Sequence, residues 1–344
     1  MTESGIGIVG AGYMGRMHAS CYHRINGVRV VGVYDTDENA ARRLADPDGA
    51  TPVTSLGDLL SLPGLDAVSV CTPDAQHRTA AVAAARAGKH ILLEKPLATS
   101  LADAEAILDA ARSAEVTLAM GFVSRFIDSY SAARQAVASG NIGQVATIQA
   151  RRLNTKAAGA RVALRDNVVD FLAVHDVDLL HWFAGPISSV NALADSYGYA
   201  DAEGPDTAQL LLRFSSGAIG HLHVSWAVPD TAPYRARAGL EVVGTSGIVS
   251  LDSFDDRVGI WADSGSRFPL DWQLTGAFQA QAEAFIASVR DGTPPVASGE
   301  DGMAALRVVL AARESIRTGG APVYVEPSDG NEAGALADRG EAQG

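Results

Sequence analysis

Short apolar runs alternate with longer amphipathic segments through roughly the first third of the chain. The apolar runs are nearly continuous, as in strands covered on both faces, so they predict a parallel sheet with helices on either side. The predicted strands are Ile6–Gly10, Val28–Tyr34, Asp66–Cys71, Lys89–Leu93 and Thr117–Met120. The predicted helices between them are Tyr13–Arg24, Glu38–Ala45, Ala75–Ala87 and Ser100–Ala111.

The pattern changes after residue 125. A helix over Ser129–Ser139, a strand over Gln144–Arg152, a loop over 153–166 and a helix over Val168–Phe183 are predicted first. Consecutive β-like runs then follow without helices between them, which favours an antiparallel or mixed sheet. They lie near 187–196, 207–214, 217–227, 238–244, 247–252 and 257–262, and helices near 275–290 and 300–318 come after them.

This change divides the chain into three predicted parts. Residues 1–125 are expected to form one α/β domain, and residues 126–325 a second α/β domain built on the mixed sheet. The tail over 326–344 consists mainly of Gly, Ala, Asp and Glu without periodicity, so we expect it to be disordered.

A glycine-rich segment joins the first predicted strand to the first helix in the pattern G-x-G-x-x-G. The first glycine permits a tight turn, the second lets the backbone approach a pyrophosphate, and the third allows close packing of helix on strand. The helix N-terminus supplies free N–H groups and partial positive charge. This indicates a doubly wound Rossmann domain whose cofactor contacts are Gly10, Gly12, Tyr13, Met14 and Gly15.

The chemistry of Asp35 indicates which dinucleotide binds. It ends the second predicted strand, 20 residues beyond Gly15 (35 − 15 = 20). A carboxylate at this place accepts hydrogen bonds from a ribose diol and repels a 2′-phosphate. The sequence therefore predicts NAD as cofactor in preference to NADP.

Charge and composition exclude several classes of function. The formal net charge is −13 (27 − 40), which disfavours binding to nucleic acid. No apolar run approaches the roughly 18 residues of a membrane span, and the N-terminal residues lack the basic stretch of a signal peptide. The two cysteines, Cys21 and Cys71, cannot form a disulfide framework, so a cytoplasmic location is expected.

Four further motifs follow the glycine-rich turn in order: Cys71–His77, Glu94–Pro96, Gly121–Phe126 and His175–Asp178. With the turn, they give the chain a resemblance to the Gfo/Idh/MocA family, from about residue 5 to about residue 325. The resemblance implies NAD-dependent oxidoreduction of sugars, cyclitols and related polyols. It also implies a large open sheet used for homodimer or homotetramer contacts, and last helices that pack back on the first domain.

Oxidation of a secondary alcohol needs a base for the hydroxyl proton and positive charge near the developing alkoxide. Lys95 follows a predicted parallel strand at the edge where ligands bind in such sheets, and the resemblance assigns its lysine this role. His175 is the predicted general base and acid.

Asp170 is the third predicted catalytic residue, and this prediction departs from the family pattern. Inositol-dehydrogenase-like members carry an Asp four residues before the histidine, where this chain has Phe171. Asp170 lies five residues before His175, about 140° away in a regular helix. Either the helix is irregular and Asp170 reaches the site, or the enzyme lacks this carboxylate.

The resemblance implies further contacts. Residues expected to line the cofactor are Thr72, Pro73, His77, Glu94 and Lys95. Residues expected to face the substrate are Arg125, Asn154 and Asp178. His221 and His223 share a strand face, but no third ligand is identifiable, so no metal site is predicted.

The leading hypothesis is an NAD-dependent dehydrogenase acting on a secondary hydroxyl of a sugar, cyclitol or sugar derivative. One alternative is a glycoside hydrolase of the same fold that oxidises its substrate transiently with tightly held NAD. Another is a dinucleotide sensor without catalytic activity, which Lys95 and His175 argue against and Phe171 leaves open.

Overall fold

The computed structural model describes residues 3–160, 162–164, 166–199, 204–253, 257–262, 265–267 and 276–326. The predicted disordered tail lies outside the described residues from 327 onwards. Within the described part, no helix combines the length and the apolar character needed to cross a membrane.

Six parallel strands form the first sheet, and their spatial order is 3-2-1-4-5-6. This is the doubly wound order, in which the chain reverses direction across the sheet between the first and fourth strands. The strands are β1 (Ser4–Val9), β2 (Val28–Tyr34), β3 (Thr51–Val53), β4 (Ala67–Val70), β5 (His90–Leu93) and β6 (Leu118–Met120). The predicted Rossmann sheet is confirmed.

Helices connect these strands and cover both faces of the sheet. They are α1 (Tyr13–Tyr22), α2 (Glu38–Ala45), α3 (Leu56–Leu60), α4 (His77–Arg86) and α5 (Leu101–Ser113). The Ser100 side chain accepts a hydrogen bond from the Asp103 N–H, so it caps α5 as its position in the sequence predicts. Two short elements, β3 and α3, were missed because each offers too few residues for a periodic pattern.

Within the described residues, nine strands form the second sheet, in which β7 and β10 are parallel and every other neighbouring pair is antiparallel. The expected mixed sheet is therefore present. Its strands are β7 (Val145–Thr155), β8 (Ile187–Asp195), β9 (Thr207–Phe214), β10 (Ile219–Val228), β11 (Ala236–Gly244), β12 (Gly247–Asp252), β13 (Arg257–Ala262), β14 (Gly265–Arg267) and β15 (Val323–Tyr324).

The later helices join the two sheets. They are α6 (Asp128–Ala138), α7 (Lys156–Gly159), α8 (Val174–Ala184), α9 (Ala277–Asp291) and α10 (Gly299–Arg317). α10 contacts β8 and α8 of the second part and α5 and β6 of the first, while α9 contacts α1. One buried apolar cluster consequently runs from β4 and β5 through α10 into β7 and β9.

Two segments differ from expectation close to the functional residues. The predicted loop over 153–166 begins as strand, because Leu153 pairs with Ser225 and Arg237 on both sides of β7 and is held there by neighbours distant in sequence. The helix predicted from Val168 begins as a π-helix over Val169–Ala173 before α8 continues it. A π-helical turn is wider than an α-helical one and alters which side chains share a face.

Candidate functional site

The glycine-rich turn lies between β1 and α1, beside the carboxyl end of β4. Gly10 has a φ of 99°, and a Cβ placed on it would lie 2.7 Å from the Cys71 carbonyl oxygen. A Cβ on Gly15 would lie 1.9 Å from the Gly10 carbonyl oxygen, whereas a Cβ on Gly12 would meet no atom within 4 Å. The first and third glycines are thus required by packing, and the second leaves open space on the ligand side.

This open space fits the pyrophosphate of a dinucleotide. Gly12 is the N-terminal flanking residue of α1, and no side chain caps that end of the helix. Its first N–H groups remain free for an anion, and the helix dipole favours negative charge there. At the carboxyl end of β4, the buried Thr72 Oγ1 has no hydrogen-bond partner in the part of the chain that the structure describes, as expected for a group that meets a ligand.

Asp35 connects the end of β2 to the same turn. Its Oδ2 accepts a hydrogen bond from the Ala11 N–H at 2.6 Å, and its Oδ1 accepts one from the Asp37 N–H at 2.8 Å. Each carboxylate oxygen has a second lone pair, so acceptor capacity remains for a ribose diol. Tyr13 is 68% exposed at the start of α1, and Met14 beside it is half-buried.

Lys95 lies at the carboxyl edge of the first sheet, two residues after the end of β5. Its Nζ donates a hydrogen bond to the Phe171 carbonyl oxygen at 3.0 Å and lies 3.7 Å from the centroid of the Phe171 ring. Burial lowers the pKa of Lys95, although nearby carboxylates, among them Glu94 and Asp74, oppose this shift. The ammonium is therefore anchored on the second part of the chain and faces the end of the parallel sheet.

Phe171 occupies the position where the family pattern predicts an aspartate. Its ring lies under the Lys95 ammonium and packs against Trp226 at a centroid separation of 6.1 Å. A ring face attracts a cation without neutralising it. Lys95 therefore keeps its charge but gains no carboxylate partner at residue 171.

His175 lies within electrostatic range of Lys95, one residue into α8. Burial lowers its pKa well below the ordinary value, and the positive charges of Lys95 and Arg152 add to this effect. Arg152 is held by Asp176 through a bidentate pair with contacts of 2.6 and 3.0 Å. Among the described residues, the buried His175 Nδ1 has no hydrogen-bond partner, so the imidazole keeps a free nitrogen within the field of Lys95.

The helix is irregular at Asp170, as one of the two open readings requires, but its carboxylate is bound elsewhere. It accepts a hydrogen bond from Asn167 Nδ2 at 2.6 Å and pairs with Arg313 of α10 at 3.4 Å. The charge of Lys95 acts on His175, whereas the Asp170 carboxylate pairs with Arg313 of α10. Its predicted catalytic contact is replaced here by an ion pair.

Asp166 is a candidate that sequence reasoning missed. Burial raises its pKa to about 6, helped by the charges of Asp170 and Asp74, while the Lys95 ammonium acts against the shift. Asn167, the next residue, caps the helix by accepting hydrogen bonds from the Val169 and Asp170 N–H groups. The one sequence signal that could have indicated this position is a carboxylate directly before an asparagine at the start of a predicted helix.

Two of the residues predicted to line the cofactor, His77 and Glu94, are buried beneath the protein surface at the NAD-binding edge of the sheet. His77 is fully buried, with its ring nitrogens 2.7 Å from the Pro96 carbonyl oxygen and 3.1 Å from that of Thr72. It therefore joins the two loops that follow β4 and β5. Glu94 is 8% exposed and accepts a hydrogen bond from the Lys95 N–H at 3.2 Å, whereas Pro73 is exposed.

Arg125 and Asp178, expected to face the substrate, pair with each other inside the protein. Their exposed fractions are 3% and 1%, and two contacts of 2.6 and 3.0 Å join them. Arg125 also pairs with Asp301 at 3.0 Å and donates to the Val296 carbonyl oxygen at 2.8 Å. Burial raises the pKa of Asp178 against the opposing guanidinium. The Arg125 guanidinium thus joins Asp178 of α8 to Asp301 of α10, and Arg125 and Asp178 satisfy each other inside the protein.

Asn154 is the predicted substrate residue that retains a free group. It lies on β7 two residues beyond Arg152, so both side chains project from the same face of the strand. Its Oδ1 is buried and finds no hydrogen-bond partner among the residues that the structure describes. An acceptor in this place suits a ligand hydroxyl.

Comparison with protein families agrees with this geometry. Residues 4–122 match the model described as "Oxidoreductase family, NAD-binding Rossmann fold", and residues 130–250 match the C-terminal domain of the same GFO/IDH/MocA family. The chain belongs to the Gfo/Idh/MocA oxidoreductase family. As a family member it carries an NAD-binding Rossmann domain, so the resemblance noted in the sequence and the NAD prediction are confirmed.

Relatives within the Gfo/Idh/MocA family align over nearly the whole chain. The 1,5-anhydro-D-fructose reductase of Ensifer adhaerens is 32% identical over 91% of this chain and 96% of its own length. The myo-inositol 2-dehydrogenase of Thermotoga maritima is 28% identical over 90% of this chain and 96% of its own. The crystal structure of GenD2 from gentamicin A biosynthesis, in complex with NAD, superposes with a TM-score of 0.81 at 27% identity, covering 95% of this chain and 97% of that one.

Alanine at the second and third glycines of the turn, Gly12 and Gly15, should affect NAD binding and stability differently. Gly12→Ala places its methyl group in open space at an ordinary φ of −69°, so it should fold normally but weaken NAD binding about tenfold or more, since the methyl occupies the pyrophosphate approach. Gly15→Ala meets the Gly10 carbonyl and should cost about 1–3 kcal/mol of unfolding free energy. Chemical denaturation and NAD titration measure both. Equal loss of stability in the two variants would contradict this assignment.

Arg125→Leu should act on stability. It leaves the Asp178 carboxylate buried without its partner, which typically costs about 3–5 kcal/mol of unfolding free energy. Arg112→Leu is the matched control, because its pairs with Asp109 and Glu300 are exposed and such pairs contribute about 0–1 kcal/mol. If Arg125→Leu instead unfolded like the parent protein and raised only KM, Arg125 would be a substrate contact.

Proposed function

We propose that this protein is an NAD-dependent oxidoreductase that transfers a hydride between the nicotinamide and a secondary hydroxyl of a cyclitol, a sugar or a sugar derivative. The observation that carries the proposal is the pair formed by the Lys95 ammonium and the neutral His175 imidazole at the carboxyl edge of the parallel sheet. Relatives named as an inositol dehydrogenase and an anhydrofructose reductase support the substrate class.

NAD, when bound, supplies the hydride acceptor. The protein must hold the substrate and handle the hydroxyl proton. Lys95 uses one of its three N–H donors on the Phe171 carbonyl oxygen, so two remain for the reacting oxygen. Its positive charge lies on a half-buried group held in place by that hydrogen bond, so it stabilises alkoxide character without reorganisation during the reaction.

His175 is suited to accept the hydroxyl proton. Its lowered pKa keeps the imidazole neutral near neutral pH, and its Nδ1 has no partner that competes for the proton. Lys95 and Arg152 maintain this state, because each raises the cost of a second cation nearby. In the reverse direction the protonated His175 returns the proton to the carbonyl oxygen.

Groups around this pair suit an uncharged, hydroxyl-rich substrate. The Asn154 Oδ1 is a free acceptor, and Asp166 with its raised pKa can bind a hydroxyl in either protonation state. Trp226 supports the Phe171 ring from behind. This mixture of acceptors and aromatic surface is typical of polyol recognition.

Other features of the proposal remain predictions. A homodimer or homotetramer is expected from the family resemblance alone. The cytoplasmic location is supported by Cys21 and Cys71, which are both free thiols. The division of the chain at residue 125 also remains a prediction.

Removing either member of the pair should abolish most of the activity. Lys95→Met and His175→Asn should each lower kcat about 10²–10⁴-fold, because one positions charge and the other moves the proton. The assay follows formation of reduced NAD over a panel of cyclitols, aldoses, sugar phosphates and uronates. Arg86→Met, which removes an exposed cation from α4, is the control and should retain parent rates.

Two results of this assay would overturn the proposal. Sugar release without net reduction of NAD would indicate a hydrolase of the same fold. If Lys95→Met oxidised polyols at the parent rate, the Lys95 ammonium would have no role in the reaction.

The pH dependence of kcat/KM should reflect both shifted groups. His175 must be neutral for alcohol oxidation, and its pKa is lowered from 6.5, so the acidic limb should lie below pH 6.5. Lys95 must be protonated, and its pKa is lowered from 10.5, so the alkaline limb should lie below pH 10.5. Lys95→Arg should lose the alkaline limb, since guanidinium stays protonated. An alkaline limb unchanged in Lys95→Arg would assign that limb to another group.

A further inference from the structure

A buried polar network lies directly beneath the nucleotide-binding turn. α1 contributes His18 and Tyr22, β4 contributes Ser69, and the ends of β4 and β5 contribute Cys71 and Glu94. Cys71 is half-buried, while the other four side chains are 8% exposed or less. The network therefore meets the surface at the thiol.

The order of groups in the network is thiol, imidazole, carboxylate. The Cys71 Sγ lies 3.6 Å from His18 Nδ1, and His18 Nε2 lies 3.2 Å from a carboxylate oxygen of Glu94. Ser69 Oγ also approaches Nδ1, at 3.2 Å, and Tyr22 fixes that hydroxyl from 2.7 Å. A base oriented by a third group beside a thiol is the arrangement that activates a nucleophile.

Electrostatics favour a charged imidazole in this position. Burial by itself lowers the pKa of His18, but Cys71 and Glu94 outweigh it and raise that pKa well above the ordinary value. The pKa of Glu94 is lowered in spite of burial, chiefly by His18 and also by Lys95. The Tyr22 phenol stays neutral because burial raises its pKa. The His18 ring therefore places positive charge 3.6 Å from the Cys71 sulfur, and a neighbouring cationic imidazole is typical of reactive cysteines.

The second thiol of the chain, Cys21, has the opposite environment. It is 4% exposed on α1, and burial raises its pKa even though His18 and Arg24 act against the shift. A buried thiol with a raised pKa is a poor nucleophile. Cys21 therefore serves as an internal control against which the reactivity of Cys71 can be measured.

The position of Cys71 connects its chemistry to NAD. Its carbonyl oxygen packs against Gly10, and Thr72 with its free hydroxyl follows directly. This is the edge between β1 and β4 where a doubly wound sheet receives its dinucleotide. Bound NAD would cover the residue, and a group attached to the sulfur would occupy space on the ligand side.

We propose that Cys71 is a nucleophilic thiol, activated by His18 and Glu94, that peroxides and alkylating agents modify in the NAD-free protein and that NAD shields. With hydrogen peroxide, the thiolate sulfur attacks one oxygen and the O–O bond breaks. The departing hydroxide takes a proton from the His18 imidazolium and leaves as water. Sulfur is oxidised by two electrons to sulfenic acid and the peroxide is reduced. The proposal rests on NAD binding and is independent of the substrate.

The test measures the labelling rate of each cysteine by iodoacetamide near neutral pH, with peptide mass spectrometry to assign the site. Cys71 should react about tenfold or more faster than Cys21 in the NAD-free protein, and saturating NAD should slow Cys71 by a similar factor. Equal rates at the two cysteines, or a Cys71 rate indifferent to NAD, would overturn the proposal.

Variants distinguish activation of the Cys71 thiol by His18 from the simple effect of its solvent exposure. His18→Gln should reduce the Cys71 labelling rate about tenfold while leaving Cys21 unchanged. Hydrogen peroxide should weaken NAD binding about tenfold or more in the parent protein and in Cys21→Ser, but not in Cys71→Ser. The comparison of the peroxide-treated parent protein with Cys71→Ser changes only a half-buried residue, so it decides the question even if His18→Gln or Cys21→Ser fails to fold. Loss of NAD binding by peroxide-treated Cys71→Ser would place the sensitive group elsewhere.

Discussion

The site depends on one half-buried contact, the hydrogen bond from the Lys95 ammonium to the Phe171 carbonyl oxygen. Lys95 belongs to the end of a strand in the first sheet, and Phe171 to the π-helical turn that leads into α8. The bond therefore fixes the second part of the chain against the edge where NAD binds. A desolvated ammonium is costly unless its donors are satisfied, so this contact also determines how closely α8 approaches the sheet.

Charge around this contact is distributed so that two neighbouring bases remain in different states. Lys95 and Arg152 disfavour a proton on His175, while the carboxylates of Glu94, Asp74 and Asp166 favour one on Lys95. Such separation of protonation states within one site is what acid–base chemistry near neutral pH requires. Phe171 contributes by supporting the ammonium without neutralising it.

The same edge of the sheet also carries the His18 network, which reaches Lys95 through Glu94. Glu94 accepts from the backbone of Lys95 and holds His18, so the groups beneath the cofactor and those beside the substrate share one carboxylate. Gly121 permits this, because a Cβ on that residue would lie 2.9 Å from the Glu94 carboxylate. The buried Glu94 carboxylate consequently couples the His18–Cys71 network beneath the cofactor to the position of Lys95.

The sequence by itself determined the parallel sheet, the glycine-rich turn, Asp35 and the position of Lys95, because local periodicity and strand order fix which residues end a strand. It did not determine the partners of side chains that meet across distant segments. Arg125 and Asp178 satisfy each other inside the protein, and Asp170 pairs with Arg313, since a charge removed from water takes the nearest opposite charge that the packing supplies. Only the tertiary structure decided these pairings, and with them which polar groups stay free for a ligand.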